Sequence, residues 1–345
     1  MAQRPRSARD AQRLTETAGL FDLQVNGYAG VDFNDAALTA DGLDHALHAM
    51  LQAGVTQCLP TLITATEPEL AARFAALDRA VATSRLGKLM VPGYHLEGPF
   101  LSPEPGFHAC HPRAAMVPPD PGLIERVTRG LARPILLLTL APERDGAEAL
   151  IRWAVTRGML VAIGHSDARA AVVARAVEAG ARMSTHLGNG LPATLPKLDN
   201  PLMAQLAEDR LTAGFIADGV HVPRFALQAM LRAKGWGRSV LVTDAVSAAA
   251  APPGRYGFAG MAIDAAADGT VRNPDGTLAG SALRLDQAVR NLADWGIATL
   301  AQAVALASDN PAALLGRTPA GRVTWSHAAT VLSCRLSELT VAAPL

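Results

Sequence analysis

Four residues with the chemistry of a hydrolytic centre lie far apart in this chain, each closing a short apolar run: Glu97, His165, His186 and Asp244. Their settings are Tyr94-His95-Leu96-Glu97-Gly98-Pro99, Ile163-Gly164-His165-Ser166, Ser184-Thr185-His186-Leu187 and Leu241-Val242-Thr243-Asp244-Ala245. Two imidazoles and a carboxylate form a donor set for a catalytic divalent cation with an open position. A further carboxylate can then manage the protons of an attacking water. The reaction class this implies is metal-assisted hydrolysis. Each residue alone has a plainer reading. Glu97 could cap a helix or form a salt bridge, a strand-end histidine is commonly structural, and Asp244 could open the next helix. Those readings weaken if one fold brings all four to a common rim.

The elements that must position them can be read from apolar patterning. Eight short runs, Leu20–Val25, Val55–Ile63, Leu89–Leu96, Pro134–Leu140, Met159–Ile163, Ala181–Thr185, Leu211–Ala217 and Ser239–Thr243, fit strands buried on both faces of a parallel sheet. Between most of them lie stretches of helical period: Leu43–Gln52, Glu67–Ala82, Gly146–Thr156, Ala168–Glu178 and Phe225–Ala233. Gly54, Gly158 and Gly180 follow such stretches as C-terminal caps do. Strand and helix alternating eight times predict an α/β fold, a (β/α)8 barrel. Polar residues then fall at the strand ends, the active face of such barrels: Gln24 and Asn26, Thr61 and Thr64, Glu97, Glu143, His165, His186, Asp218 and Asp244. His95 would point the same way as Glu97 or support it from behind, whereas His45 and His48 would face outward on the first helix.

Beyond Asp244 the Pro/Gly/Ala-rich stretch 248–260 reads as a loop over that face, and 264–276 as a small hairpin. Leu283–Leu292 and Leu300–Ala307 read as helices, and Ala328–Cys334 and Leu339–Val341 as β segments, with His327 a structural residue in the tail. The expected organisation is a tail over 1–18 without fixed structure, a metal-dependent barrel over 19–315, and a β segment over 316–345 packing near the N-terminal side.

Composition excludes several function classes. Lys+Arg and Asp+Glu both number 31, so no bulk field recruits nucleic acid or an anionic membrane. Cys58, Cys110 and Cys334 are odd in number and widely spaced, which argues against a disulfide framework or a structural zinc site. The first 13 residues are basic and polar with no apolar core of a secretory signal, and no run approaches a membrane span. A cytoplasmic protein is the expectation.

Taken together, the motifs resemble those of the N-acetylglucosamine-6-phosphate deacetylases of the amidohydrolase superfamily. The matching pieces include Asp22-Leu-Gln-Val-Asn-Gly27, Leu59-Pro-Thr-Leu-Ile-Thr64, His95-Leu-Glu-Gly-Pro-Phe100, Gly164-His-Ser166, Ile216-Ala-Asp-Gly-Val-His221, Leu241-Val-Thr-Asp-Ala245 and Leu278-Ala-Gly-Ser-Ala282. They occur in family order from about residue 20 to about residue 315. The resemblance implies that Glu97, His165 and His186 hold one divalent metal, most readily Zn²⁺, with Fe²⁺, Mn²⁺ or Co²⁺ as alternatives. It implies that Asp244 is the catalytic acid/base. Gln24 and Asn26 stand where many superfamily members carry His-x-His, which argues against a second metal and gives Gln24 a role toward a metal-bound water. The histidine that polarises the scissile carbonyl is His111 or His108, both in Gly106-Phe-His-Ala-Cys-His-Pro112. His221 matches a substrate contact, and Asn189 and Gly190 match a segment that holds the sugar phosphate.

Departures accompany the match. Lys197 stands near the position of the family's phosphate-binding arginine, and a lysine meets phosphate as a point charge rather than a fork. The family's terminal β-sandwich must be reduced or missing, because so little chain precedes the first strand. The implied substrate is a phosphorylated N-acyl amino sugar and the implied assembly a homodimer. A deacylase for another, non-phosphorylated N-acyl sugar or amino acid is the alternative. A binding relative without catalysis is disfavoured because all four key residues are present.

Overall fold

Residues 14–326 and 328–342 are described by a computed structural model. The N-terminal stretch 1–13 and His327, about which the sequence raised expectations, lie outside the described residues.

The apolar runs become the staves of a barrel. Its strands are Leu20–Val25, Val55–Ile63, Tyr94–Glu97, Ile135–Leu140, Leu160–Ile163, Met183–Ser184, Thr212–Phe215 and Ser239–Leu241. They lie in sequence order, each parallel to its neighbours. Every residue of the first two strands is buried, as expected for a sheet covered on both faces. The ring closes between first and eighth strands through a parallel bridge, Val25 to Ala245. Around it the Asp244 N–H donates to Gln24 O at 2.9 Å and the Asn26 N–H to Ala245 O at 2.7 Å. The buried Asp22 carboxylate adds a side-chain stitch, accepting from the Thr243 hydroxyl at 2.6 Å and the Thr243 N–H at 3.2 Å.

Outer helices follow the strands, and their starts are written locally. Thr39 caps Ala40–Gln52, Thr66 and Glu69 form a capping box on Glu67–Thr83, and Thr299 and Gln302 form another on Leu300–Ala307. Several short helices escaped the periodicity reading, among them Pro121–Val127 and Pro201–Ala207. Each of these two opens with Pro directly after a capping Asp120 or Asn200, a start signal that seven residues cannot support with periodicity. The run expected as a strand over Leu89–Leu96 divides instead: Gly87–Met90 is a helical turn, and the strand begins at Tyr94.

The stretch expected as a loop contains a strand. Gly254–Phe258, Met261–Ala265 and Val271–Arg272 form a three-stranded antiparallel flap beside the barrel mouth. Its glycines and the preceding prolines masked the alternation. Phe258, Ile263 and Val271 pack with Ile63 and Val246 in a small apolar cluster separate from the main core.

Residues 15–18, placed in the tail from sequence, form a strand. Thr15–Ala18 joins Arg322–Trp325, Val331–Leu336 and Leu339–Ala342 in one antiparallel sheet built from both chain ends. Its buried Val323 and Val331 pack on Gly54, where a Cβ would approach them to within about 3.3 Å. The described residues of the two chain ends thus form a single sheet. Among the described residues no helix is long and apolar enough to cross a membrane.

Candidate active site

The barrel's strand ends open into a cavity of ≈ 550 Å³ lined by Glu97, His111, His165, His186, His221 and Asp244, among others. The backbone turns these side chains inward at a cost. His165, His186 and Asp244 all sit at positive φ, 51°, 25° and 50°, a region L-residues rarely adopt. Such strain clusters at functional sites, where the surrounding fold overrules the local preference.

Glu97, His165 and His186 converge tightly. Glu97 Oε1 lies 3.3 Å from His165 Nε2 and 3.1 Å from His186 Nε2, and the two Nε2 atoms are 3.1 Å apart. Among the described residues this is the group of three or more metal-type donors that meets the geometry of a shared ion. One of the donors is also in the state a ligand needs. The His165 Nδ1 faces the Phe107 carbonyl at 2.8 Å, and a carbonyl can only accept, so Nδ1 carries the proton and Nε2 presents its lone pair. Glu97 Oε1 is buried with no hydrogen-bond partner. An orphaned carboxylate oxygen facing two imidazole nitrogens fits a cation at their centre. Burial alone would raise the Glu97 carboxyl, but the facing His165 and His186 imidazoles outweigh it and hold it well below the usual range.

Gln24 and Asn26 act on carboxylates. Gln24 Nε2 donates to Glu97 Oε2 and to Asp244 Oδ1, both at 3.1 Å, and Asn26 Nδ2 donates to the same Asp244 Oδ1 at 2.8 Å. Gln24 therefore bridges the two acids from beneath, while Asn26 reaches the cavity wall. Burial raises the Asp244 carboxyl above its ordinary range; His186 pulls it down and Glu97 adds to the rise. A carboxylate raised in this way is a better base near neutral pH.

The two loop histidines separate. His111 is buried, its Nδ1 2.9 Å from the Thr64 hydroxyl and its Nε2 3.9 Å from Glu97 Oε2. Burial first, and then the neighbouring His165, push its pKa well below the usual value, so it is neutral. His108 is partly exposed on the same loop and bonds only to the adjacent Ala109 carbonyl, at 3.0 Å. His95 does not reach the cavity. It is fully buried between the Thr61 and Thr139 hydroxyls, 3.2 and 2.8 Å away, and burial lowers its pKa to about 4. His45 and His48 are exposed, as expected.

On the far side His221 lines the cavity with its Nδ1 2.5 Å from Asp218 Oδ2, which fixes the ring. Asn189 and Gly190 line it too. The Asn189 N–H and side-chain amide both donate to His186 O, at 3.0 and 2.9 Å, so that backbone donor is already engaged. Gly190 must be glycine: φ is +61°, and a Cβ would lie 2.5 Å from His165 Nδ1. Lys197 is exposed and is not among the cavity-lining residues, so the structure does not bring it to the site. Sequence reasoning passed over Phe107, whose contribution is a backbone carbonyl and leaves no signal in residue type. It also gave Thr64 no partner, although its place one residue beyond a strand end was visible.

No family model matches the chain. Curated relatives do. An N-acetylgalactosamine-6-phosphate deacetylase of Shewanella sp. (strain ANA-3) is 35% identical over 313 residues, covering 90% of this chain and 76% of the relative. An N-acetylglucosamine-6-phosphate deacetylase of Bacillus subtilis (strain 168) is 30% identical over 306 residues, covering 86% and 74%. Among solved structures, a mutant N-acetyl-D-glucosamine-6-phosphate deacetylase from Mycobacterium smegmatis in complex with N-acetyl-D-glucosamine-6-phosphate superposes with a TM-score of 0.86 at 31% identity. That match covers 95% of this chain and 87% of the other.

Proposed function

The chain belongs to the N-acetylglucosamine/galactosamine-6-phosphate deacetylase family, and from that premise we propose that it hydrolyses the N-acetyl amide of N-acetylglucosamine 6-phosphate to glucosamine 6-phosphate and acetate. The observation that carries this reading is the meeting of Glu97, His165 and His186 beside Asp244 in one cavity.

Glu97, His165 and His186 would hold one divalent cation, with Zn²⁺ suited to two imidazoles and a carboxylate and Fe²⁺, Mn²⁺ or Co²⁺ as alternatives. When bound, such an ion supplies Lewis acidity, which makes water nucleophilic near neutral pH. Asp244 takes the proton of the attacking water and delivers it to the amide nitrogen, which otherwise leaves very poorly. Its Oδ1 is held by Gln24 and Asn26, so Oδ2 is the proton-carrying atom. His111 donates to the carbonyl oxygen as charge builds there, a role that requires the tautomer protonated at Nε2, with the Thr64 hydroxyl turned to Nδ1 rather than to Glu97 O. His108, nearer the mouth, is the less favoured candidate. His221, Asn189 and Gly190 would hold the sugar.

One observation keeps a second reading open. Among the described residues lining the cavity there is no Lys or Arg. The phosphate would then be met by backbone near Gly190, or by a second subunit of a homodimer reaching the mouth. If neither holds, the substrate is a non-phosphorylated N-acyl amino sugar. A phosphorylated sugar does not cross a bilayer unaided, which favours a cytoplasmic reaction.

The deciding experiment measures metal content together with acetate and amine released from N-acetylglucosamine, its 6-phosphate and the galacto epimer. We expect one ion per chain and a strong preference for a 6-phosphate, both lost on chelation. Asp244→Asn should keep the metal and lose at least about 10³-fold in kcat. Asn tolerates the positive φ and preserves Oδ1, so fold and bonds survive. A metal-replete wild type that releases no acetate from any of the three would refute the proposal.

A further inference from the structure

The cavity has two unlike walls. From loops after the sixth and seventh strands come Asn189, Gly190 and His221, which are polar or present backbone, with the partly exposed Leu191 and Pro192 and the exposed Ala193 beside them. From the second strand, the loop after the third and the flap after the eighth come Ile63, Cys110, Phe258 and Leu278. In an eight-stranded ring the second strand stands across from the sixth, so the two groups face each other over the converging donors. The apolar group is built, not incidental. Ile63 and Phe258 belong to the flap's own buried cluster, and Cys110 packs against it. Burial first, then Asp244 and Glu97, push the Cys110 thiol up to about 12, so it stays neutral and behaves as a small apolar group. The flap's polar Asp275 and Thr277 are exposed at the rim.

We propose that the wall of Ile63, Cys110, Phe258 and Leu278 receives the acyl chain of the substrate and sets which acyl lengths are hydrolysed. The inference rests on the amide-hydrolysis reading. An amide carbon carries three groups, and the site constrains two of them. The oxygen must face His111, and the nitrogen must reach Asp244 to be protonated. The hydroxyl-rich sugar on that nitrogen needs hydrogen-bonding partners, which the wall of His221 and Asn189 offers and the apolar wall does not. The acyl chain is left to the apolar side. There it gains from burial, because each CH₂ leaves water. Leu278 is the adjustable member, partly exposed and outside the flap's buried cluster. Ile63 lies in register beside Glu97 and forms the floor.

The test uses the metal-replete full chain and glucosamine 6-phosphate carrying N-formyl, N-acetyl, N-propionyl or N-butyryl groups. The readout is kcat/KM from released amine. Leu278→Ala should raise the butyryl-to-acetyl ratio about tenfold, and Leu278→Phe should lower it by a similar factor. Inhibition by the deacylated product, which has no acyl group, should stay within about twofold in both variants. Phe258→Ala should shift the ratio in the same direction as Leu278→Ala, read only if its thermal midpoint shows a folded protein. A ratio that stays fixed in both Leu278 variants, or a change confined to product inhibition, overturns the subsite while leaving the deacetylase reading intact. A wild type that turns over none of the series overturns the reaction and the subsite with it.

Discussion

Asp244 illustrates how little freedom the proposed acid/base has here. Its backbone is held at φ 50° and its Oδ1 accepts from both Asn26 and Gln24, leaving one oxygen for chemistry. The two amides after the first strand thus donate to acids. Removing one donor should let the carboxylate rotate. Asn26→Ala is expected to lower kcat about 10–100-fold with KM and metal content nearly unchanged, because misplacing a reacting group by a fraction of an ångström has that effect. A raised KM with an intact kcat would instead make Asn26 a substrate contact.

The elements carry their own dependencies. The helix Pro201–Ala207 ends on carbonyls that its own turns cannot satisfy. Lys234, the last residue of Arg224–Lys234, reaches across and donates to Gln205 O at 2.9 Å and Glu208 O at 2.7 Å from a fully buried position. Burial lowers its ammonium to about 8, and Arg238 adds to the fall while the carboxylates of Asp209 and Glu208 oppose it. Lys234→Met should keep the stem's packing and strand those carbonyls. We expect a loss of about 3 kcal/mol in denaturant unfolding. A change below about 0.5 kcal/mol would mean that the carbonyls find other donors. The segment 188–200 leads into the N-terminus of this helix, so its stability bears on the cavity wall at Asn189 and Gly190.

For the molecule as a whole, the seam between first and last strands is the point of closure, and Asp22 sits in it. Burial raises its pKa from 3.8 to about 7 against the pull of the Thr243 bonds. Below about 4 the carboxyl is protonated in both folded and unfolded chains, and the fold holds this contribution in full. As pH rises toward 7 the unfolded chain gives up the proton while the folded one keeps it, so stability falls. Between pH 4.5 and 7.5 the wild type should therefore lose about 3 kcal/mol more than Asp22→Asn, which lacks the titration. Equal pH slopes in urea unfolding of the two proteins would refute the assignment.

The sequence by itself determined the barrel, the strand ends and the three donors with their acid. Buried parallel strands must be apolar along their length, so a polar residue at the end of such a run stands out, and Glu97, His165, His186 and Asp244 did. It could not determine where irregular chain goes. Lys197 was expected at the phosphate and lies exposed outside the cavity, on the largely exposed stretch 193–199, whose course no apolar pattern sets. Gly254–Phe258 became a strand only because Met261–Ala265 was there to pair with it. His111 was separated from His108 by burial against Thr64, a contact between residues 47 positions apart. Local pattern fixes which residues are buried in a strand or helix; only the closed fold decides which of the remaining polar groups face one another.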